Sequence, residues 1–230
     1  MPIYNAPLLR VDPKETRRYA GLQKAVGFDE NMIEEACEDA RILADPRSIW
    51  QIYDYDCHED TVLSRPSFQI QGKSIGKHLS GCEQVLLLAA TVGEEIEQEI
   101  TRRFEKGVYA SSVLLDAAAT TAVEQVADAL EKAIAPDLSR KGYAMRWRFS
   151  PGYGDWPLLQ QTELVRLSHA EEIGISLSES LMLMPRKSIT AIIGLCKNGK
   201  SGSNISNKEH DCAACGKLDC SFRRHSSLKS

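Results

Sequence analysis

The sequence predicts an α+β domain, because segments with the apolar pattern of buried strands alternate with segments of helical periodicity. Residues 85–91 form a continuous apolar run, which indicates a strand buried on both faces. Residues 188–195 are rich in β-branched side chains and indicate a second central strand. The alanine-rich segment 109–135 indicates a long helix, which Pro136 is expected to end.

Composition and charge limit the class of protein. The chain has 230 residues, of which 43% are hydrophobic and 26% charged, as is ordinary for a globular protein with a substantial core. The net charge of −4 argues against a nucleic-acid-binding domain, which usually carries a basic surplus. The sequence has no apolar run of about 18 residues and no signal-peptide pattern, so we expect no membrane span and a cytoplasmic location.

We divide the chain into three segments. Residues 1–80 are predicted to form an N-terminal layer of helices and strands within a single domain, residues 81–196 its core, and residues 197–230 a flexible linker with a short cysteine-rich tail. Periodicity and capping signals in the first two segments predict shorter elements: a helix after the N-cap Asp29, a strand over 49–55, and helices over 74–79, 94–106 and 157–174.

The segment 143–157 carries the pattern with the most chemical content. Its side chains alternate with a period of two up to Phe149, which predicts a half-buried strand with Arg146 and Arg148 on one face. A turn rich in glycine, proline and aromatic residues follows. Such a turn can offer backbone N–H and C=O groups to a flat polar ligand. A tight connection between a strand and a helix explains the same pattern without a ligand.

Three blocks of the sequence together indicate a family. The first is the apolar run that ends in Thr91-Val92-Gly93, before the alanine-rich helix. The second is Arg148, three residues, then Gly152-Tyr153. The third, residues 177–190, reads LSESLMLMPRKSIT. In this order the blocks resemble the S-adenosylmethionine-binding activation domain of cobalamin-dependent methionine synthase, and they cover roughly residues 80 to 195.

The resemblance implies a fold and a site. The fold is a single α+β domain whose central mixed or antiparallel sheet is packed with helices. In the site, the planar guanidinium of Arg148 binds the methionine carboxylate, and Pro151, Gly152 and Tyr153 hold the rest of the S-adenosylmethionine. Asp155 is a nearby candidate for the ligand's amino group. The chain has no methyltransferase-type glycine fingerprint after a first strand, so a Rossmann methyltransferase is not expected.

The resemblance also implies an activity that depends on a partner, a methionine synthase subunit or related corrinoid protein. Oxidised cobalamin on the partner would receive one electron from a donor such as a flavodoxin or ferredoxin. The cob(I)alamin so formed would take the methyl group of S-adenosylmethionine, a reactivation step in methionine biosynthesis. The protein would contribute positioning and electrostatics, with no covalent catalytic residue.

The chain departs from the family pattern after the third block. The full-length enzymes have two adjacent tyrosines that help to hold S-adenosylmethionine, whereas here the sequence continues Ile192-Ile193-Gly194-Leu195-Cys196. The residues that would contact adenosine are therefore not assigned by the sequence.

The tail contains the motif Cys212-x-x-Cys215-x-x-x-x-Cys220. Seven cysteines, an odd number, argue against a secreted disulfide framework and favour reduced thiols or metal ligation. Three thiolates at this spacing can converge on zinc, and the fourth ligand would come from Cys196, His210 or His225. An iron–sulfur cluster and free structural or redox thiols are the alternatives.

Two other functions are compatible with these patterns. The protein could be a non-catalytic metal- or iron–sulfur-binding accessory protein that docks on a corrinoid enzyme and uses the tail for electron transfer. It could also be a docking subunit that retains the fold and has lost the ligand. Metal content and S-adenosylmethionine binding separate the three functions.

Overall fold

The computed structural model describes residues 3–197, which form a central sheet with helices on both faces. Its strands are β1 (Ile3–Tyr4), β2 (Arg47–Asp56), β3 (Thr61–Val62), β4 (Phe68–Gln69), β5 (Gln84–Thr91), β6 (Tyr143–Met145), β7 (Ser176–Leu177), β8 (Leu183–Met184) and β9 (Ser188–Lys197). Its helices are α1 (Pro13–Tyr19), α2 (Glu30–Leu43), α3 (Lys73–Leu79), α4 (Glu95–Glu105), α5 (Tyr109–Arg140) and α6 (Gln161–Ser168), with 3-10 turns at Leu158–Gln160 and Ala170–Ile173.

The central sheet is antiparallel and has the order β4-β3-β2-β5-β9-β6, with β1 also paired to β2. Strand β5 pairs along its whole length with β2 on one side and β9 on the other. All its residues except Gln84 are buried, because helices cover both faces. The α+β class and the antiparallel form of the sheet are thus confirmed.

One face of the sheet is covered mainly by α5, with α1, α2 and α4 packed around it. The predicted N-cap of α2 is confirmed, since the Asp29 side chain accepts a hydrogen bond from the Asn31 backbone N–H. The apolar side of α2 then packs against α5 through Ile33, Ala36, Cys37 and Ala40, which are all buried. Small side chains at Ala118, Ala119 and Ala122 belong to the same cluster and let the helices approach closely.

The opposite face carries α3, α6 and the turn that follows residue 149. Their apolar side chains pack on β5 and β9 around Trp156, which is 1% exposed. The Trp156 indole donates a hydrogen bond to Gln160 Oε1 at 2.7 Å, and the Gln160 amide donates to the Gln69 carbonyl at 2.8 Å. Gln160 Oε1 also accepts from the Gln71 backbone N–H at 2.9 Å. A single buried glutamine therefore connects three segments of this layer.

The prediction that Pro136 ends the long helix is wrong, because α5 continues through it to Arg140. Proline cannot donate to the carbonyl four residues earlier, that of Lys132. Lys132 and Pro136 both lie on the exposed side of the helix, where water can satisfy that carbonyl. On the inner side, Ile134 and Leu138 are buried against the sheet and stabilise the last turns.

The predicted strand 143–149 with two arginines on one face is also wrong. Strand β6 ends at Met145, although the Arg146 backbone N–H still donates to the Gly194 carbonyl at 2.8 Å. Pairing with β9 resumes at Phe149, which bridges to Ile192. Two residues, Trp147 and Arg148, therefore lie opposite the single residue Ile193. This extra residue acts as a bulge and reverses the alternation, so Arg146 and Arg148 point to opposite faces of the sheet.

Within residues 3–197, no helix is both long and apolar enough to cross a membrane. The predicted linker beyond Lys197 and the cysteine-rich tail lie outside the described residues.

We expect Gln160→Ala to lower the free energy of unfolding by about 2 to 3 kcal/mol. The substitution leaves the Trp156 indole and two backbone groups without their partner, and each such loss costs about 1 kcal/mol or more. Urea unfolding followed by tryptophan fluorescence measures the change. Gln98→Ala, at an exposed position of α4, is the matched control and should change stability by less than about 0.5 kcal/mol. Equal stability of the two variants would contradict a structural role for Gln160.

Candidate functional site

The turn at residues 149–157 is fastened to the central sheet at its first residue. The Phe149 N–H donates to the Ile192 carbonyl at 2.9 Å, and the Ile192 N–H donates back to the Phe149 carbonyl at 2.8 Å. Within the turn, the N–H groups of Gly152, Tyr153 and Trp156 donate to carbonyls of the same turn. These three groups hold the loop in shape, so they are not the bare backbone donors that the sequence suggested.

The predicted site residues of the turn differ in their exposure. Pro151 is buried, whereas Gly152, Tyr153 and Asp155 are exposed, Tyr153 at 58%. The Tyr153 ring meets Phe149 edge-on with 6.5 Å between centroids, and Phe149 in turn lies 6.0 Å from Trp156. Tyr153 is therefore an accessible aromatic ring that rests on the half-buried Phe149, which in turn contacts the buried Trp156.

Asp155 caps a helix. Its carboxylate accepts hydrogen bonds from the backbone N–H groups of Lys73 at 2.8 Å and Ser74 at 2.9 Å. The bonds from Ser74 and then Lys73 hold the pKa of Asp155 below its ordinary value of 3.8. Helix α3 has Gly72 as its own N-cap residue, which has no side chain to offer, so Asp155 supplies the cap from 82 residues away.

Gly72 is required where the turn meets α3. Its φ of +127° is unfavourable for other residues, and a Cβ there would lie 3.1 Å from the Asp155 carbonyl oxygen and 3.2 Å from Trp156 Cα. The close approach of the two backbones explains why the turn is held rigidly against the start of α3.

Arg148 points to the other side of the sheet, where it meets three carboxylates of α5. Its Nη1 donates to Asp128 at 2.6 Å and also to Glu131, and its Nη2 donates to Glu124 at 2.6 Å. The Arg148 side chain is 20% exposed, and those of Glu124 and Asp128 are 37% and 49% exposed. We call Arg148, Glu124, Asp128 and Glu131 the acidic cluster; it is part-buried and open to solvent on one side.

The acidic cluster contains more negative than positive charge. Burial alone would lower the pKa of Arg148, but the charges of Glu131, Glu124 and Asp128 outweigh burial and raise it. Burial raises the pKa of Glu131 despite the attraction of Arg148, and the neighbouring charges of Asp128 and Glu124 add to this effect. Three carboxylates around one guanidinium thus form a site that favours a further positive group.

The acidic cluster lies within electrostatic range of the turn. Glu124 and Arg148 are both close enough to Tyr153 to act electrostatically on its phenol, and Glu124 acts in the same way on Tyr19 of α1. The region therefore combines a planar cation, an excess of carboxylates and an exposed aromatic ring. A zwitterionic amino acid with an additional positive charge matches these groups.

The three carboxylates of the acidic cluster were not among the residues predicted from the sequence. Glu124, Asp128 and Glu131 have the spacing i, i+4, i+7, which places them on one side of a helix. That spacing was visible in the sequence. Their partner was not, because the expected alternation placed Arg148 on the same face as Arg146.

Arg146 lies on the opposite face and has different partners. Its Nη2 donates to the Ser80 carbonyl at 2.8 Å, and its Nε donates to Cys196 Sγ at 3.3 Å. Cys196 itself is 2% exposed. Because its thiol is engaged in the core, we favour His210 or His225 over Cys196 as a fourth ligand of a metal in the tail.

A surface groove and the predicted metal ligands share no residue with this region. An open groove of about 390 Å³ lies on α4 and is lined mainly by charged side chains of that helix and by Arg186. Among residues 3–197, no group of three or more metal-ligating side chains is placed to hold an ion. The predicted metal ligands Cys212, Cys215 and Cys220 lie outside the described residues.

The fold defines a class: an α+β domain with a central antiparallel sheet, a long helix on one face and short helices on the other. The crystal structure of the MetH reactivation domain bound to AdoHcy belongs to the same class. It matches this chain with a TM-score of 0.59 and 13% sequence identity, over 88% of this chain and 81% of that one. No protein-family model and no curated protein matches the sequence. At this identity the likeness shows a shared fold.

We expect Glu131→Gln to stabilise the protein at neutral pH by about 0.5 to 1 kcal/mol. The pKa of Glu131 is raised in the folded state, so ionisation of this carboxyl group lowers the free energy of unfolding. This destabilisation is absent below the ordinary pKa of 4.5 and grows as the pH rises through the raised pKa. Glutamine avoids this destabilisation. The advantage of the variant in urea unfolding should therefore be present at about pH 7 and vanish near pH 4.

Glu35→Gln provides the control for this pH dependence, because Glu35 is exposed on α2. It should leave the free energy of unfolding nearly unchanged at both pH values. If Glu131→Gln were destabilising at neutral pH, the attraction between Glu131 and Arg148 would outweigh burial and the cluster would be an ordinary ion-pair network.

Proposed function

We propose that this protein binds S-adenosylmethionine at the acidic cluster and the adjoining turn, and supports reductive methylation of the corrinoid cofactor on a cobalamin-dependent partner. The observation that carries the proposal is the excess of carboxylates around Arg148. S-adenosylmethionine has a sulfonium, an ammonium and a carboxylate, so it needs both signs of charge within a few ångströms. Similarity to a fold that binds AdoHcy in the MetH reactivation domain supports the same ligand class.

Binding would require an exchange of partners at Arg148. The guanidinium has five N–H donors in a plane and holds carboxylates through its two terminal nitrogens. The ligand carboxylate would replace one protein carboxylate there, and the released carboxylate would accept from the ligand ammonium. Asp128 has the most exposed side chain of the three, so it is the partner we expect to exchange. The ion pair between Arg148 and the protein carboxylate is thus replaced by two pairs with the ligand, one at its carboxylate and one at its ammonium.

Tyr153 would contact the remainder of the ligand. Its ring is exposed and within electrostatic range of Glu124 and Arg148, so its aromatic face could attract the sulfonium group. Gly152 is exposed next to it and leaves space for the ligand, while Pro151 is buried and fixes the turn. Asp155 would act by positioning the turn on α3, in place of the direct contact with the amino group that the sequence suggested.

In this proposal the protein holds the ligand and leaves the methyl group free to react. S-adenosylmethionine would supply the methyl group, and a reduced corrinoid on the partner would accept it once a flavodoxin or ferredoxin had supplied an electron. The residues that follow the third sequence block provide no substitute for the missing tyrosine pair, because Ile192, Ile193 and Leu195 are buried in β9. We propose that the corrinoid partner completes the adenosine side of the site.

We expect Arg148→Ala to weaken S-adenosylmethionine binding by about 1.5 to 3 kcal/mol, the range for charge-assisted hydrogen bonds. Arg148→Lys should restore only part of the affinity, since an ammonium neutralises the carboxylates but lacks the planar fork. Isothermal titration calorimetry measures both variants. Arg140→Ala is the matched control, because Arg140 lies on the same helix as the carboxylates, with a side chain 78% exposed.

The free energy of unfolding of each Arg148 variant must be measured together with its affinity for S-adenosylmethionine. Arg148→Ala leaves three carboxylates together and should also destabilise the fold, whereas Arg148→Lys keeps a positive charge in the cluster. Wild-type affinity in a folded Arg148→Ala variant would remove Arg148 from the site. A wild-type chain that binds no S-adenosylmethionine, alone or with a corrinoid protein, would favour the docking subunit without ligand.

The tail provides a separate test of the accessory-protein alternative. We expect the anaerobically purified chain to carry about one zinc ion or one iron–sulfur cluster, bound through Cys212, Cys215 and Cys220. Cys215→Ser should abolish the metal, measured by elemental analysis and absorbance, and leave S-adenosylmethionine binding unchanged. Loss of both in this variant would show that the two functions are not separate, and absence of metal in the wild type would favour free thiols.

A further inference from the structure

Two buried cysteines lie side by side on the face of the sheet that carries the turn. Cys82 stands between α3 and β5, and Cys196 is the penultimate residue of β9. Their sulfur atoms are 2.8 Å apart, although 114 positions separate them in the sequence. Cys82 is 0% exposed and Cys196 is 2% exposed. The proposed ligand site uses neither thiol.

The pairing of β5 with β9 sets this arrangement. The Glu83 N–H donates to the Leu195 carbonyl at 3.1 Å, which places Cys82 diagonally across from Cys196. Gly194 provides the room, because a Cβ at this position would lie 2.6 Å from Cys82 Sγ and 3.0 Å from Leu79 Cδ2. Any side chain at residue 194 would push Cys82 away from its neighbour.

The surroundings make the two thiols chemically different. A hydrogen bond joins the Cys82 and Cys196 thiols, and Cys196 Sγ also accepts from Arg146 Nε. The contact with Cys82 and then the bond from Arg146 lower the pKa of Cys196. The pKa of Cys82 is raised by the same contact with Cys196 and by burial. Burial, and to a smaller extent the negative charge of Glu83, oppose ionisation of Cys196 but do not outweigh these contacts. The guanidinium lies against Cys196, so Cys196 is the thiol of the pair that is better placed to act as the nucleophile.

Cys37 is a buried thiol with a purely structural environment and serves as a comparison for the pair. It is buried between α2 and α1, and its thiol donates to the Thr16 hydroxyl at 3.4 Å. Burial raises the pKa of Cys37, and neither a second sulfur nor an arginine accompanies it in the hydrogen-bond network. The pair on the other face combines two adjacent thiols with a guanidinium bonded to one of them, an arrangement that suits disulfide formation.

We propose that Cys82 and Cys196 form a redox-active pair that hydrogen peroxide converts to a disulfide and that thiols reduce again. The Cys196 thiolate attacks one peroxide oxygen, an S–O bond forms, the O–O bond breaks and the departing hydroxide takes up a proton to become water. The Cys82 sulfur then attacks Cys196 and displaces the second oxygen, which leaves as water after it takes the Cys82 proton. The two thiols lose two electrons in total, and the peroxide gains them.

The geometry suits this reaction in both directions. The sulfur atoms have to approach by only about 0.8 Å to reach the usual disulfide bond length of about 2.05 Å. Arg146 is half-buried and links the thiols to the surface, where its guanidinium also holds the Ser80 carbonyl. The disulfide would join the end of the α3 segment to β9, and the other end of α3 holds the turn through Asp155.

The test uses the full chain, reduced anaerobically and then treated with hydrogen peroxide. Free thiols are alkylated in denaturant at successive times, and tandem mass spectrometry identifies each cysteine. We expect a disulfide-linked Cys82–Cys196 peptide, with both thiols lost at least about tenfold faster than that of Cys37 and recovered with dithiothreitol. Cys82 and Cys196 that remain alkylatable while other thiols are oxidised would overturn the proposal, as would pairing of either one with a tail cysteine.

Variants separate the roles of the three residues. In Cys82→Ser, Cys196 has no resolving thiol and should accumulate as a sulfenic acid that a dimedone probe captures. Arg146→Gln should slow oxidation of Cys196 about tenfold by reducing its thiolate character. Cys37→Ser is the matched control and should form the Cys82–Cys196 disulfide at the wild-type rate. Unchanged oxidation in Arg146→Gln would contradict activation of Cys196 by the guanidinium.

Discussion

The reciprocal hydrogen bonds between Phe149 and Ile192 are the constraint on which the candidate site and the thiol pair both depend. They restore strand pairing after one extra residue, so the side chains before and after the bulge point to opposite faces. Arg148 consequently reaches the carboxylates of α5, and Arg146 reaches Cys196 on the other face. A regular strand would have placed both guanidinium groups in one layer and left one of these partner sets without a cation.

The acidic cluster differs from the arrangement of charges around Glu99 on α4. On α4, Glu99 alone is shared by Arg102 and Arg103, whose hydrogen bonds lower the pKa of Glu99 to about 2. At Arg148 a single cation is shared by three carboxylates, one of which has a raised pKa. Binding sites often retain charge that the isolated fold does not need, and stability is lower as a result. The contrast identifies the cluster around Arg148 as the unusual one.

The sequence predicts the helices and strands that are determined by capping and burial within a single segment. The Asp29 cap and apolar face of α2, the continuous apolar run of β5 and the β-branched run of β9 are all confirmed, because capping and burial leave a pattern within one segment. The path of α5 through Pro136 was missed, because it depends on tertiary packing of Ile134 and Leu138. The partners of Arg148 were missed for a related reason. A one-residue bulge has no periodic signature, yet it changes the face of every side chain beyond it.

The turn and the start of α3 form a single unit that the chain assembles from two distant segments. Asp155 supplies the helix cap that Gly72 cannot, and Gly72 in turn leaves room for the backbone of Asp155 and Trp156. Each half therefore stabilises the other. In evolution or in a chimera, the loop around Tyr153 can therefore be exchanged between related proteins only when residues 72–74 are exchanged together with it.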